Sequence, residues 1–142
     1  MLLDSSKGQT GDQVTLLSPT LPLSTVSSLR FYYHMLLNAT DTVGSLTVYR
    51  YSQLHTYEQV LFQVRGNRGE RWRPGKICLS AGVYQLAFVG TIGLASLSDI
   101  AIDDIVVWKN ENCNELDSSP SEGIAICYSH ADNDDTCKYV SK

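Results

Sequence analysis

The 142-residue sequence predicts an all-β fold in which antiparallel strands form a sandwich. Three observations indicate this fold class. Apolar and aromatic residues alternate at period two in five short segments, glycine- or proline-containing stretches separate those segments, and no segment carries the periodicity of an amphipathic helix. Because successive side chains of a strand point to opposite faces, period two predicts strands that each bury one face.

The five segments follow one another along the chain with turn residues between them. The strands are predicted at 29–35, 45–49, 60–64, 83–88 and 100–108. The turns are predicted at 8–11, 38–44, 66–69, 74–75, 81–82 and 90–93. Alternation assigns these residues to the core: Leu29, Phe31, Tyr33, Leu46, Val48, Phe62, Leu86, Phe88 and Ile102.

The charge is distributed unevenly and divides the chain in two. Of the 15 acids and 11 bases, residues 115–142 hold six acids and two lysines, which leaves nine of each sign in the body. A neutral body is not built to neutralise a phosphate backbone, so we expect no nucleic-acid partner. We predict a sandwich over residues 1–113, and an acidic linker with a short irregular, cysteine-containing tail, or a partial second module, over 114–142.

The sequence carries neither the pattern of a membrane span nor that of a signal peptide. No stretch approaches the roughly 20 apolar residues of a membrane span, so we expect no span in this chain. The first residues lack the basic start and apolar core of a signal peptide. Read alone, this indicates a cytosolic protein, which the resemblance described next contradicts.

Three groups of segments, in this order and spacing, resemble the MAM domain over about residues 2–113. The segments are Leu-Ser-Pro at 17–19 with the run Leu-Arg-Phe-Tyr-Tyr-His-Met at 29–35, Gly-Ser-Leu-Thr-Val-Tyr at 44–49 with Trp72, and Tyr-Gln-Leu-Ala-Phe at 84–88 with Asp-Ile-Ala-Ile-Asp-Asp-Ile at 99–105 and Cys113. The resemblance implies a jelly-roll-like sandwich. It also implies a secreted or membrane-anchored parent protein.

The sequence departs from the family pattern at three places. The family normally begins with an opening strand and two cysteines that this chain lacks, which implies a fragment, an alternative product or an incomplete gene model. The family also places a cysteine just before the Phe-Tyr-Tyr-His-Met run, paired with the last cysteine, where this chain has Ser28. By the resemblance, Cys113 lacks its usual partner, and Cys78 has no counterpart.

The four cysteines show no Cys-x-x-Cys spacing, so a structural zinc site is not expected. Nine residues separate Cys127 from Cys137, a short loop that a disulfide closes readily, and we predict a bridge between them. Cys78 and Cys113 remain open. Each is either a free thiol or, if exposed, half of an intermolecular bridge that would make a covalent homodimer.

Two further sites are predicted from short motifs. Asn38-Ala39-Thr40 is an N-glycosylation acceptor in a predicted turn. Asp103 and Asp104 end an apolar run, and paired carboxylates suit a hard cation such as calcium. Alternation places the two on opposite faces, and the competing interpretation is an aspartate that caps the backbone. Apart from possible calcium, we expect no cofactor.

The function predicted from these features is non-catalytic. His34, His55 and His130 accompany no nucleophile motif, so we do not expect an enzyme. The leading hypothesis is an extracellular protein-interaction module that mediates adhesion or assembly of its parent protein, binding extracellular or cell-surface proteins or a second copy of itself. The alternative is a carbohydrate-binding β-sandwich that uses Tyr32, Tyr49, Tyr51 and Tyr57.

Overall fold

The computed structural model of the chain describes residues 2–3, 8–37, 40–94, 99–109 and 113. Within these residues the regular elements are all strands. In chain order they are β1 (Leu2–Leu3), β2 (Gln13–Leu17), β3 (Leu21–Leu23), β4 (Ser27–Leu36), β5 (Ser45–Tyr51), β6 (Tyr57–Arg65), β7 (Gly69–Leu79), β8 (Gly82–Thr91) and β9 (Asp99–Trp108).

The strands form two antiparallel sheets. The four-stranded sheet has the order β1-β9-β4-β7, and the five-stranded sheet has the order β2-β8-β5-β6 with β3 also paired to β8. Strands that are neighbours in sequence, such as β4 and β5, mostly belong to different sheets, so the chain crosses repeatedly between the layers. This arrangement confirms the predicted all-β, jelly-roll-like sandwich.

The core lies between the two sheets and is centred on aromatic rings. All nine residues that alternation assigned to the core are at most 4% exposed. The Phe31 ring lies 5.2 Å from that of Phe62 and 5.8 Å from that of Phe88, both edge to face. A Cβ at Gly75 would lie 2.5 Å from Phe31 Cζ, so only glycine leaves room there for the ring.

Strand β7 overturns one predicted turn. The sequence predicts a turn at 74–75, yet Pro74 and Gly75 lie inside β7 and pair with Tyr32 and Phe31 of β4. Strand β7 is at the edge of the four-stranded sheet, where a proline that lacks an N–H need not interrupt a ladder on both sides. The edge position therefore tolerates residues that would end an internal strand.

Strands β2 and β3 pair with successive parts of β8 and meet at a buried serine. Ser18 is 2% exposed, and its Oγ accepts the Leu86 N–H at 2.7 Å. The Ser18 N–H donates to Leu86 O at 2.9 Å. The side chain thus replaces a backbone partner where Pro19 ends the regular ladder.

Asp41 holds together two loops at one end of the sandwich. Its carboxylate is 3% exposed. Oδ1 accepts the N–H groups of Val43 and Gly44 at 2.8 and 2.9 Å, and Oδ2 accepts that of Leu94 at 2.8 Å. Oδ2 also occupies the space that a Cβ at Gly93 would need. The loop after β4 is thereby fixed to the loop after β8.

Candidate functional site

A bulge in β9 determines where the two predicted calcium ligands point. In the ladder between β4 and β9, Arg30 pairs with Val106 but Tyr32 pairs with Asp103, so β9 holds one extra residue. Asp104 takes a left-handed conformation with φ of 50°. Ile102 and Ile105 are both buried on either side of the aspartates, which are partly or fully exposed. The expectation of opposite faces is therefore wrong, because the bulge interrupts the alternation.

The outer face of the four-stranded sheet has a depression of about 380 Å³ at this bulge. The lining residues are Tyr32 from β4, Trp72 from β7, and Asp103 and Asp104 from β9. Tyr32 is 46% exposed and Trp72 49% exposed. The His34 ring lies 5.6 Å from that of Trp72 and supports it from the same face. We call these four lining residues the aromatic–acidic site.

One of the two carboxylates already serves the backbone. Asp103 Oδ1 accepts the Asp104 N–H at 2.8 Å, which fits the backbone-capping interpretation. Among the described residues, no cluster of three or more His, Cys, Asp or Glu side chains is arranged to hold a metal. Calcium takes six to eight oxygens, so these two side chains alone do not complete a site. Calcium binding by Asp103 and Asp104 stays a prediction.

A second, polar depression of about 310 Å³ lies on the outer face of the five-stranded sheet. Hydroxyl and amide groups dominate its lining: Gln13, Thr42, Val43, Ser45, Thr47, Tyr49, Gln63, Arg65, Val89 and Thr91. Gln63 Nε2 donates to Thr47 Oγ1 at 3.2 Å, and Gln13 Nε2 donates to Thr91 Oγ1 at 3.3 Å. The first bond joins β6 to β5 and the second joins β2 to β8, so the groove crosses all four strands of the β2-β8-β5-β6 order. We call this depression the polar groove.

The four tyrosines considered for sugar binding do not share one surface. Tyr32 belongs to the aromatic–acidic site, whereas the other three lie at the far end of the five-stranded sheet. The Tyr57 ring lies 4.7 Å from that of Tyr49 and 5.2 Å from that of Tyr51. Tyr49 also lines the polar groove, so this cluster continues it.

The remaining predicted site residues fall partly outside the described chain. Cys78, in β7, and Cys113, which follows β9, are both half-buried thiols. Asn38, Cys127 and Cys137 lie outside the described residues, as does His130. Thr40, the last residue of the glycosylation motif, is exposed in a turn.

Two of the histidines lie far apart in the described structure. His34 is in β4, and His55 lies in the turn before β6, with its ring 6.2 Å from that of Tyr51.

No helix that is long and apolar enough to span a membrane occurs among the described residues.

Sequence reasoning missed Trp72, Thr47 and Gln63 as site residues. Trp72 has a misleading signal, because alternation between Arg71 and Arg73 would place a tryptophan in the core, whereas its side chain is 49% exposed. Thr47 and Gln63 have no signal in sequence, because their juxtaposition depends on the register between β5 and β6.

Comparison with solved structures supports the same architecture. The K1 and K3 cleaved adhesin domains of Lys-gingipain from Porphyromonas gingivalis superpose with TM-scores of 0.54 and 0.56, at 21% and 18% identity. The K1 superposition covers 68% of this chain and 63% of that domain, and the K3 superposition 72% and 68%. At this identity the likeness concerns the fold.

Comparison with known sequences identifies the family. Mouse neuropilin-1 is 35% identical over 128 residues, which cover 83% of this chain and 14% of neuropilin-1. The chicken MAM domain-containing glycosylphosphatidylinositol anchor protein 1 is 28% identical over 130 residues, covering 89% and 13%. The chain thus spans about one seventh of these relatives' length. The profile of the MAM domain, meprin/A5/mu, matches residues 1–114, and the chain belongs to the MAM domain family.

Proposed function

We propose that this chain is a non-catalytic interaction module that works outside the cell and binds proteins through the aromatic–acidic site. The observation that supports the proposal is the pairing of two half-exposed aromatic rings with two carboxylates in one depression. Tryptophan and tyrosine dominate the binding energy of protein interfaces because they bury a large area at a small entropic cost. The relatives, named as a GPI-anchored protein and a neuropilin, support an extracellular location.

The chemistry of the site selects a basic side chain as its occupant. A lysine or arginine that enters the depression can lie against the faces of Tyr32 and Trp72 while its charge meets Asp103 and Asp104. An ion pair screened from water by aromatic rings contributes more than one on an open surface. We therefore expect a partner segment with an arginine or lysine at its centre.

The same face of the sheet carries the opposite charge next to the site. Arg30 lies two residues before Tyr32 on β4 and pairs with Lys76 of β7. A two-fold arrangement of two copies would set the acidic end of one face over the basic end of the other. A second copy of the chain is consequently one of the partners that this surface suits.

The experiment is a binding screen against extracellular and cell-surface proteins, with sedimentation of the chain at increasing concentration as a second arm. If the chain binds a protein of the screen or associates with itself, Trp72→Ala should weaken that binding at least tenfold. Trp108→Ala is the matched control for the binding screen, since Trp108 is 48% exposed on the same sheet. Trp108 pairs with Ser28 of β4, whereas Trp72 contacts His34 of the same strand. Six residues of β4 separate these two positions, so the two tryptophans lie about 20 Å apart.

The outcomes separate clearly. In the binding screen, equal losses in the two tryptophan variants would show that the aromatic–acidic site is not the contact surface. A chain that stays monomeric at high concentration and binds no protein of the screen would contradict the proposed function itself.

The polar groove supports a second candidate function, carbohydrate binding. Sugar hydroxyls are bound by side-chain amides and hydroxyls beside an aromatic ring, and the groove places Thr47, Gln63 and Tyr49 together. A glycan array with the wild-type chain tests it. Saturable binding that Gln63→Ala and Tyr49→Ala abolish and Tyr32→Ala retains would favour this candidate, because Tyr32 lies on the other sheet.

A further inference from the structure

The two cysteines of the sandwich come together around one serine. Ser28 of β4 pairs directly with Cys78 of β7 on one side and with Trp108 of β9 on the other. Leu29 and Ile77, the next pair of the ladder, are both buried in the core. Ser28 and Cys78 therefore both point to the outer face. Side chains directly opposite in an antiparallel pair have Cβ atoms about 4.5–5.5 Å apart.

Cys113 reaches the same place from the other direction. It follows the end of β9 by five residues, and its Sγ lies 3.4 Å from Ser27 O, the carbonyl of the peptide that joins Ser27 to Ser28. Ser28 is 0% exposed although it points to the outer face, so the surrounding chain covers it. Cys78 thus lies directly beside Ser28 on the neighbouring strand, and the Cys113 sulfur lies against the carbonyl just before Ser28.

We propose that Cys78 and Cys113 form an intramolecular disulfide in the oxidised protein. The two thiols lose two protons and two electrons as the sulfur–sulfur bond forms. A disulfide oxidant, such as glutathione disulfide or an oxidoreductase, accepts the electrons and becomes two thiols by exchange. A bridge needs Cα atoms within about 7 Å. Cys113 follows the last strand and belongs to no ladder, so it can adjust without breaking a strand pair.

The bridge would close the end of the four-stranded sheet. Among the described strands, β7 is at the edge of its sheet and pairs with β4 alone. The bond would tie Cys78 near the end of β7 to the segment that leaves β9, closing a loop with 34 residues between the two cysteines. Cross-linking restricts the unfolded chain, so it favours the folded state. It would also remove both thiols from intermolecular chemistry, so neither could support a covalent dimer.

The test uses the full 142-residue chain with Cys127→Ser and Cys137→Ser, which leaves Cys78 and Cys113 as the only cysteines. The protein is refolded in a glutathione buffer, treated with iodoacetamide after unfolding, and digested for mass mapping. We expect one peptide pair joined through Cys78 and Cys113, and no alkylated cysteine. Adding Cys78→Ser should leave Cys113 fully alkylated, and adding Cys113→Ser should leave Cys78 fully alkylated.

A further arm keeps the test decisive if a variant fails to fold. The unmodified chain is mapped in the same way under non-reducing conditions and needs no substitution. Alkylated Cys78 and Cys113 in the oxidised protein, a dimer joined through either of them, or a peptide that joins Cys113 to Cys127 or Cys137 would each overturn the proposal.

Discussion

Replacing Asp41 should destabilise the sandwich far more than replacing an exposed aspartate. The Asp41 carboxylate is 3% exposed and accepts three backbone N–H groups from two loops. Truncation to alanine removes all three bonds at once. It also leaves the N–H groups of Val43, Gly44 and Leu94 without that acceptor in a place where water enters poorly.

The magnitude follows from the number of bonds. A hydrogen bond to a charged group contributes roughly 1.5–3 kcal/mol, so three bonds set an upper bound of about 9 kcal/mol for the loss. The loops relax and water reaches part of the freed backbone, and we expect Asp41→Ala to lose about 3–5 kcal/mol of unfolding free energy. With an m-value of about 2 kcal/mol/M, the urea midpoint should fall by roughly 2 M.

The assay is urea unfolding followed by tryptophan fluorescence, with Asp12→Ala as the control. Asp12 is exposed, and its Oδ2 accepts the Gln9 N–H at 2.8 Å. Its removal should cost about 0.5–1 kcal/mol. Equal losses for Asp41→Ala and Asp12→Ala would refute the reasoning, because burial and bond number would then have no effect on the free energy.

Three further predictions concern the core, the pH response and the surface. Phe31→Ala should lose about 3–5 kcal/mol in the same urea assay, and a loss below about 1 kcal/mol would contradict its burial. Burial raises the pKa of Tyr84 above 10.0, against the opposing effects of its hydrogen bond with Ser80 and the Arg50 charge. The unfolded chain then releases this proton first, so stability should fall as pH rises above about 10, and less steeply in Tyr84→Phe. Chain secreted from animal cells should lose mass on glycosidase treatment, and Asn38→Gln should not.

The sequence predicted the core better than any other part of the structure. Alternation succeeds in β4, β5 and β8 because one face of each strand must leave water while the other need not. In β4 the pattern runs through Leu29, Phe31, Tyr33 and Met35, all at most 2% exposed. Burial of one face of a strand leaves a pattern within a few neighbouring residues, so the sequence alone is enough to predict it.

Strands that form because of their pairing with other strands, and not because of their own sequence pattern, were harder to predict. Strand β7 contains Pro74 and Gly75, which usually indicate a turn, and it remains a strand because β4 pairs with it on one side and the other side is an edge. Strands β2 and β3 are short and join through the Ser18 hydrogen bonds to Leu86. Neither edge position nor such a bond is visible in a single sequence.

The aromatic–acidic site shows why the rest could not be predicted. Strict alternation from Ile102 would turn Asp104 toward the core and Ile105 toward solvent, whereas the bulge lets Ile105 stay buried and leaves Asp104 exposed. Burying Ile105 stabilises the fold by roughly 2 kcal/mol, and burying an unpaired carboxylate would cost several more. Aspartate tolerates the left-handed conformation that the bulge requires better than most residues. The site therefore exists because two consecutive aspartates interrupt a strand whose three isoleucines, at 100, 102 and 105, all lie in the core.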